Sequence, residues 1–364
     1  MKKTLCVVFS DAFAYGTYKL LGGLGEEYHL QKIIPGIGYS SNLHYLLFDG
    51  KTPDELGFFT DYTWKNAKAK KTGRIRRTCD EIETANNIVR AAARKITKLN
   101  DNIPFSERDF FYKNGKYKFL TENPTSVFGV QTDMAYEGNN YEACFDKAHK
   151  LLQKGSDSIV VVLEELDHLG HAVGFMGDPY IHSAKEILSR TDKLFHDFHA
   201  KYPEGICILI SDHGMSDVVC GVNIVDGLKK RFGLPGEKYQ MYMDSVYLRV
   251  WCDDDLYLKQ IESYLQDIEI LVMISDREAI RYGVTSKCFG DKIFRLKEGY
   301  VFYPNYFGLS VRGPVKGIHG YMEPTDSASG ILVSNYEISK DDTIDAYHVF
   351  ERVSAVVDHP RERN

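Results

Sequence analysis

The chain has 364 residues, 43% hydrophobic and 26% charged, so it holds ample apolar material for a large folded core and is neither a disordered nor a collagen-like sequence. A formal net charge of −6 argues against a generally basic nucleic-acid binder, and no run approaches the roughly 20 apolar residues of a membrane span. The seven cysteines are scattered, odd in number and lack a Cys-x-x-Cys pair, which fits reduced thiols and an expected cytoplasmic location.

The first predicted element is a buried strand from Leu5 to Phe9. Its apolar run follows Met1-Lys2-Lys3 as in a signal peptide, but it stops too early, at Ser10-Asp11. Residues 64–80 carry a basic run from Lys65 to Arg77, which reads as a solvated face or as a rim attracting anions. A helical pattern follows from about Asp80 to Leu99, and residues 101–140 read as loop-rich around an Asn114-Gly115 turn. Two further β-branched runs, Ile159 to Leu163 and Ile206 to Ile210, flank a helical pattern from about Ile181 to Lys201. That is a βαβ unit, and such continuous apolar runs suit parallel strands covered on both faces. Between about 235 and 315 the patterns are strand-like (Ser245 to Trp251, Ile268 to Ile274) and helix-like (Leu256 to Leu265). The Tyr300 to Phe307 stretch there suits a core, with stacking on a base or sugar as the alternative. A helix from Asp345 to Val357 ends the series.

The predicted fold class is α/β, a doubly wound, mostly parallel central sheet with inserted cap segments. Residues 1–63, 151–234 and 316–364 are expected to form the core, 64–150 a partly helical cap or insertion continuing into the core, and 235–315 an α+β insertion.

In open α/β sheets ligands bind at the carboxyl ends of strands, and the three predicted strand ends carry carboxylates or histidines. Asp11 follows the first. Asp167-His168-Leu169-Gly170-His171 follows the second and sets oxygen and imidazole donors four residues apart; Asp212-His213-Gly214-Met215 follows the third, where Gly214 permits a sharp turn. His319 sits between glycines in Gly317-Ile318-His319-Gly320. Each motif alone is also met in ordinary turns and surfaces. Together, three aspartates and three histidines are ligands enough for two metal ions. Mixed carboxylate and imidazole donors favour Zn²⁺ over Ca²⁺ or Mg²⁺, with Mn²⁺ and Fe also accommodated, and two ions about 4 Å apart suit in-line displacement at phosphorus. His44, His168 and His182 read as solvent or supporting residues, and Glu164 or Glu165 as a group orienting a ligating histidine.

The Ser211-Asp212-His213-Gly214-Met215 string, the Asp167-x-x-x-His171 pair followed by Gly174, and His319-Gly320 resemble the metal-ligand motifs of the alkaline-phosphatase superfamily, nearest its type I phosphodiesterase/nucleotide pyrophosphatase branch. The resemblance implies an alkaline-phosphatase-like core, two Zn²⁺ ions and a Thr or Ser nucleophile. It maps one ion to Asp11, Ser40, Asp212 and His213, and the other to Asp167, His171 and His319. The branch's nucleophile lies ten residues before a glycine, so Gly50 selects Ser40, with Ser41 as the neighbouring alternative. One of these serines is expected to cap the helix that follows, its hydroxyl at the positive end of the dipole.

The chain departs from the branch in two places. The usual Pro-Asn after the nucleophile is Asn42-Leu43, and the phosphate-binding Asn, counted from Gly57, falls on Asp61. A carboxylate there repels phosphate unless it is protonated, metal-bound or turned away, so Asn42, Asn66 or a backbone N–H is expected in its place. The implied activity is hydrolysis of a small phosphate ester, nucleotide or nucleotide-sugar, through a covalent phosphoseryl-type intermediate. A phosphomonoesterase or head-group transferase on the same core, and an inert binding protein, are the alternatives. A sulfatase is disfavoured because no Cys-x-Pro-x-Arg or Ser-x-Pro-x-Arg motif is present.

Overall fold

The computed structural model describes residues 4–60, 62–65, 111–113, 125–303, 305 and 315–358. They fall into two units, one within 1–52, 116–217 and 316–364, the other within 53–115 and 218–315.

The first unit is built on an eight-stranded sheet in the order Thr343–Asp345, His29–Ile34, Gly330–Ser334, Ile206–Ile210, Leu5–Ser10, Ser158–Leu163, Val130–Ala135, Thr125–Val127. Leu5–Ser10 pairs in parallel with both of its neighbours. Gly330–Ser334 is antiparallel to both of its own, which makes the mostly parallel sheet a mixed one. The central strands Leu5–Ser10, Ser158–Leu163 and Ile206–Ile210 are buried at every position because both faces are covered. Leu5, Val7 and Phe9 pack in one cluster with Leu43, Leu46 and Leu47 of helix Ser40–Asp49 and with Val349, Val353 and Val357 of helix Ala346–Asp358. Cys6 and Val8 pack in the other, with Phe145 and Leu152 of helix Tyr141–Gln153 and Ile187, Leu194 and Phe198 of helix Asp178–Lys201. Fully burying a side chain of this size contributes about 1.5–3 kcal/mol, so the alternation fixes the register of each strand.

The second unit holds a four-stranded antiparallel sheet in the order Gln240–Met243, Tyr247–Trp251, Lys292–Leu296, Leu271–Met273. Helices Val225–Phe232 and Asp255–Gln266 share its apolar cluster. Arg249 is the largest fully buried side chain of this unit. Its Nη2 donates to Thr60 Oγ1 and to the Tyr62 carbonyl, each at 2.9 Å, and its guanidinium lies 4.5 Å from the Tyr242 ring centre.

These contacts move the expected boundaries. Residues 53–63 and 218–234 belong to the second unit, because Arg249 anchors the first stretch and Val225, Leu228 and Phe232 of the second enter its core. Residues 125–150 belong to the sheet unit, into which the expected cap was read as continuing: Val130–Ala135 pairs with Ser158–Leu163, and Cys144, Phe145 and Ala148 pack beneath the sheet. The basic run beyond Lys65 and the helix expected at 80–99 lie outside the described residues. The described residues between 235 and 303 hold both strands and helices, and the C-terminal helix runs over Ala346–Asp358. Cys6, Cys144, Cys207, Cys220, Cys252 and Cys288 form no disulfide among the described residues, and no described helix is long and apolar enough to cross a membrane.

Candidate metal and nucleophile site

Three adjacent parallel strands deliver donors to one edge of the sheet. Leu5–Ser10 runs into Asp11, whose N–H donates to the Leu163 carbonyl at 2.8 Å. Ala12 then adopts a left-handed φ of 58°, uncommon for a residue with a Cβ. Tyr180 clamps this turn: its hydroxyl donates to the Ala12 carbonyl at 2.6 Å and accepts from the Ala14 N–H at 3.3 Å. Ile206–Ile210 runs into Ser211-Asp212-His213, and Gly214 follows. A Cβ on Gly214 would lie 1.9 Å from the Ser327 carbonyl oxygen, so only glycine admits the 327–329 backbone there. Ser158–Leu163 leads to helix Glu165–Val173, which sets Asp167 and His171 one turn apart. His319 follows Gly317–Ile318, which pairs antiparallel with Ser216–Asp217.

Ser40 arrives from a fourth strand. His29–Ile34 runs in the same direction as Ile206–Ile210, since both are antiparallel to Gly330–Ser334, and helix Ser40–Asp49 therefore starts at the same edge. Tyr39 is the N-cap and Ser40 the first helical residue, so neither serine caps the helix as expected. Asn42 ties down this end instead: its Oδ1 accepts from the Tyr39 N–H at 3.0 Å and its Nδ2 donates to the Ile37 carbonyl at 2.9 Å. Asn42 is fully buried. It organises the loop rather than facing a substrate, which corrects its expected role. Ser41 Oγ is buried with no hydrogen-bond partner among the described residues, and Asp61 and Asn66 lie outside them.

The seven residues expected to carry metal and nucleophile converge. Ser40 Oγ lies 3.0 Å from His213 Nε2 and 3.4 Å from Asp11 Oδ1. His213 Nε2 is in turn 3.5 Å from Asp11 Oδ1 and 3.4 Å from Asp212 Oδ2. Asp167 Oδ1 stands 3.3 Å from both His171 Nε2 and His319 Nε2. The donor atoms of Asp11, Asp212 and His213, and those of Asp167, His213 and His319, each lie within 4.8 Å of one another. His213 Nδ1 and His171 Nδ1 face the carbonyls of Gly214 and Gly317 at 2.8 and 2.9 Å. A carbonyl only accepts, so each Nδ1 carries a hydrogen, and Nε2, the nitrogen that faces the carboxylates, is the one that ligates an ion once it has given up its proton. These carbonyls, not Glu164 or Glu165, orient the histidines: Glu164 accepts from the Tyr136 hydroxyl at 2.8 Å and Glu165 from Ser183 at 3.1 Å.

The electrostatics are those of a site built for cations. Burial, then the charges of Asp212, Asp167 and Glu164, holds the Asp11 carboxyl well above the usual carboxylate range. Burial also pushes Asp167 up, but the close approach of His171 and the charges of His319, His171 and His213 outweigh it and leave Asp167 below its ordinary value. Asp212 is likewise raised by burial and lowered overall, by the His213 charge and then by His44. Among the described residues, the ion-pair partners of these three aspartates are all histidines. Asp167 Oδ1 and Asp212 Oδ2 are buried without a hydrogen-bond donor. Two orphaned carboxylate oxygens, the buried Asp11 carboxyl beside them and inward-facing imidazole nitrogens fit divalent cations, because a bound ion satisfies both the charge and the lone pairs.

One contact was not anticipated. His44 Nε2 lies 3.5 Å from Asp212 Oδ2. The available signal was its spacing of four from Ser40 on one helix, which places both side chains on the same face. His168, by contrast, is exposed and turns back to the Glu164 carbonyl at 2.8 Å, and His182 is exposed.

The family model for type I phosphodiesterase / nucleotide pyrophosphatase matches residues 37–288. No curated protein sequence matches the chain. Among solved structures, the chain is similar to an inactive variant of murine ectonucleotide pyrophosphatase / phosphodiesterase 5 in complex with AMP, at 12% identity and a TM-score of 0.61, covering 98% of this chain and 95% of that one. A second structure of the murine protein (13% identity, TM-score 0.59) and one of its human counterpart (11%, 0.59) match over the same shares.

Proposed function

The chain belongs to the type I phosphodiesterase/nucleotide pyrophosphatase family, and on that premise we propose that it hydrolyses phosphodiester or pyrophosphate bonds with Ser40 as nucleophile and two divalent ions, zinc by the chemistry of the donors. The observation that carries this reading is the placement of Ser40 Oγ inside the donor cluster, 3.0 Å from His213 Nε2 and 3.4 Å from Asp11 Oδ1. Asp11, Ser40, Asp212 and His213 would hold one ion, and Asp167, His171 and His319 the other. When bound, such ions supply Lewis acidity, which lowers the serine hydroxyl's pKa and draws charge from the phosphoryl oxygens.

The chain's own groups position the reaction. Ser40 opens a ten-residue helix, so the N–H groups of its first turn and the helix dipole face an incoming phosphoryl group. The Ser40 Oγ–P bond forms as the bond from phosphorus to the leaving oxygen breaks; water then attacks the same phosphorus, releases the second product and restores the serine hydroxyl. The gain over direct attack by water comes from fixed orientation of the nucleophile. The murine relative's complex with AMP supports a nucleotide or nucleotide-sugar ester as the substrate class.

The test is Ser40→Ala assayed against aryl phosphodiester, phosphomonoester and sulfate substrates, with metal content measured alongside. Loss of diester hydrolysis by about 10³-fold or more, with the ions retained, is expected. Full diester activity in Ser40→Ala would refute the assignment, and a wild-type preference for the monoester would move the activity to the phosphomonoesterase alternative.

A further inference from the structure

We propose that His44 is a positioning residue, which holds the Asp212 carboxylate in the orientation needed to bind a cation together with Asp11 and His213. This rests on the two-ion reading above.

His44 Nε2 and Asp212 Oδ2 are each inaccessible to solvent, and neither has a hydrogen-bond partner among the described residues. They stand 3.5 Å apart, at the long limit of a hydrogen bond, so each is the other's available partner, and a buried polar atom left without one is destabilising. The second Asp212 oxygen is occupied locally, since Oδ1 accepts from the His213 N–H at 3.1 Å. Oδ2 is therefore the oxygen that faces both the donor cluster, 3.4 Å from His213 Nε2, and His44. A carboxylate oxygen has lone pairs enough for a cation and an N–H at once, and a donor on the far side fixes the plane in which the remaining lone pair points.

The ring is itself fixed. Phe9 meets it edge-on, with centroids 4.7 Å apart and planes at 80°, and the strand bearing Phe9 ends at Ser10, immediately before Asp11. His44 also sits one helical turn beyond Ser40. One imidazole thus joins the helix that carries the nucleophile to the strand end that carries Asp212, while packing on the strand that delivers Asp11.

The experiment is a chelator-competition titration of the Co²⁺-loaded full chain, read by visible absorption, for wild type, His44→Ala and His44→Gln. His44→Ala is expected to weaken one of the two ions by about 10- to 100-fold and leave the other unchanged. His44→Gln returns an N–H donor at similar reach and is expected to recover most of the loss, with the wild-type absorption spectrum restored. Diester hydrolysis at saturating Co²⁺ should then fall in kcat more than it changes KM for His44→Ala. Wild-type affinity for both ions in His44→Ala overturns the proposal, as does equal weakening in a well-folded His44→Gln. Failure of wild type itself to bind two ions overturns the two-ion reading instead.

Discussion

The imidazoles of His213 and His319 lie face to face, with ring centroids 3.8 Å apart and planes 7° from parallel. Two imidazolium ions so placed would repel each other without water to screen them. Burial, then the neighbouring His213, accordingly holds His319 well below the ordinary histidine value. The neutral ring is the ligating form, so the stack keeps a lone pair available beside Asp167. His319→Ala should lower the divalent-ion content by one per chain and reduce diester hydrolysis by about 10³-fold or more, whereas exposed His168→Ala should change neither. Elemental analysis of both variants checks this; unchanged metal in His319→Ala would remove His319 from the donor set.

The pH dependence of metal uptake has a definite sign. In the metal-free fold the Asp11 carboxyl is raised above its unfolded value, so it binds a proton more tightly folded than unfolded. Its contribution therefore weakens the fold as pH rises from the unfolded carboxylate value, about 3.9, through the folded one. His171, also raised by its bond to Asp167, holds a proton that an ion must displace. Metal binding should release protons, and the gap in melting temperature between metal-loaded and metal-free protein should widen with rising pH. Melts between pH 5 and 8 measure it, and a gap that stays constant contradicts this assignment.

Tyr180 supports Asp11 from below. Tyr180→Phe strands the Ala12 carbonyl and the Ala14 N–H, which the hydroxyl satisfies at 2.6 and 3.3 Å, at a cost of about 1–3 kcal/mol. Freed from this clamp, the left-handed Ala12 should relax and carry Asp11 with it. Urea denaturation should show the loss of stability, and metal titration a weaker ion at Asp11. A variant with normal metal affinity would confine Tyr180 to stability alone.

Gly214→Ala tests the tight passage behind His213. The new Cβ would collide with the Ser327 carbonyl, and overpacking of this kind costs about 1–3 kcal/mol. Because Gly214 also carries the carbonyl that orients His213, the variant should lose metal affinity beyond what its stability predicts. Wild-type melting and wild-type metal content together would rule this out.

The three aspartates were legible because each follows an apolar run, where composition changes abruptly: Phe9 to Asp11, Leu163 to Asp167, Ile210 to Asp212; Ser40 was reached only through the family resemblance. The fold around it was less so. The Gly317–Ile318 strand is two residues long and exists only through its pairing with Ser216–Asp217, a contact across a hundred residues that no local pattern encodes. The antiparallel Gly330–Ser334 strand reads in sequence like any other apolar run, since direction is set by partners and not by composition. Asn42 was misread for a related reason: an amide next to a nucleophile suggests a substrate, whereas the helix terminus it opens has its own unpaired N–H groups to satisfy.

The alternation of Leu5, Val7 and Phe9 against Cys6 and Val8 has a further consequence. A strand with interior on both sides has no tolerant direction in which to slip, and deleting one residue within it would send every side chain to the wrong helix layer. Asp11 is carried by that same count, so such a deletion would also turn its carboxylate to the opposite face. The direction of the chemistry is thus locked to the parity of the core, and length changes are confined to segments that do not thread the sheet.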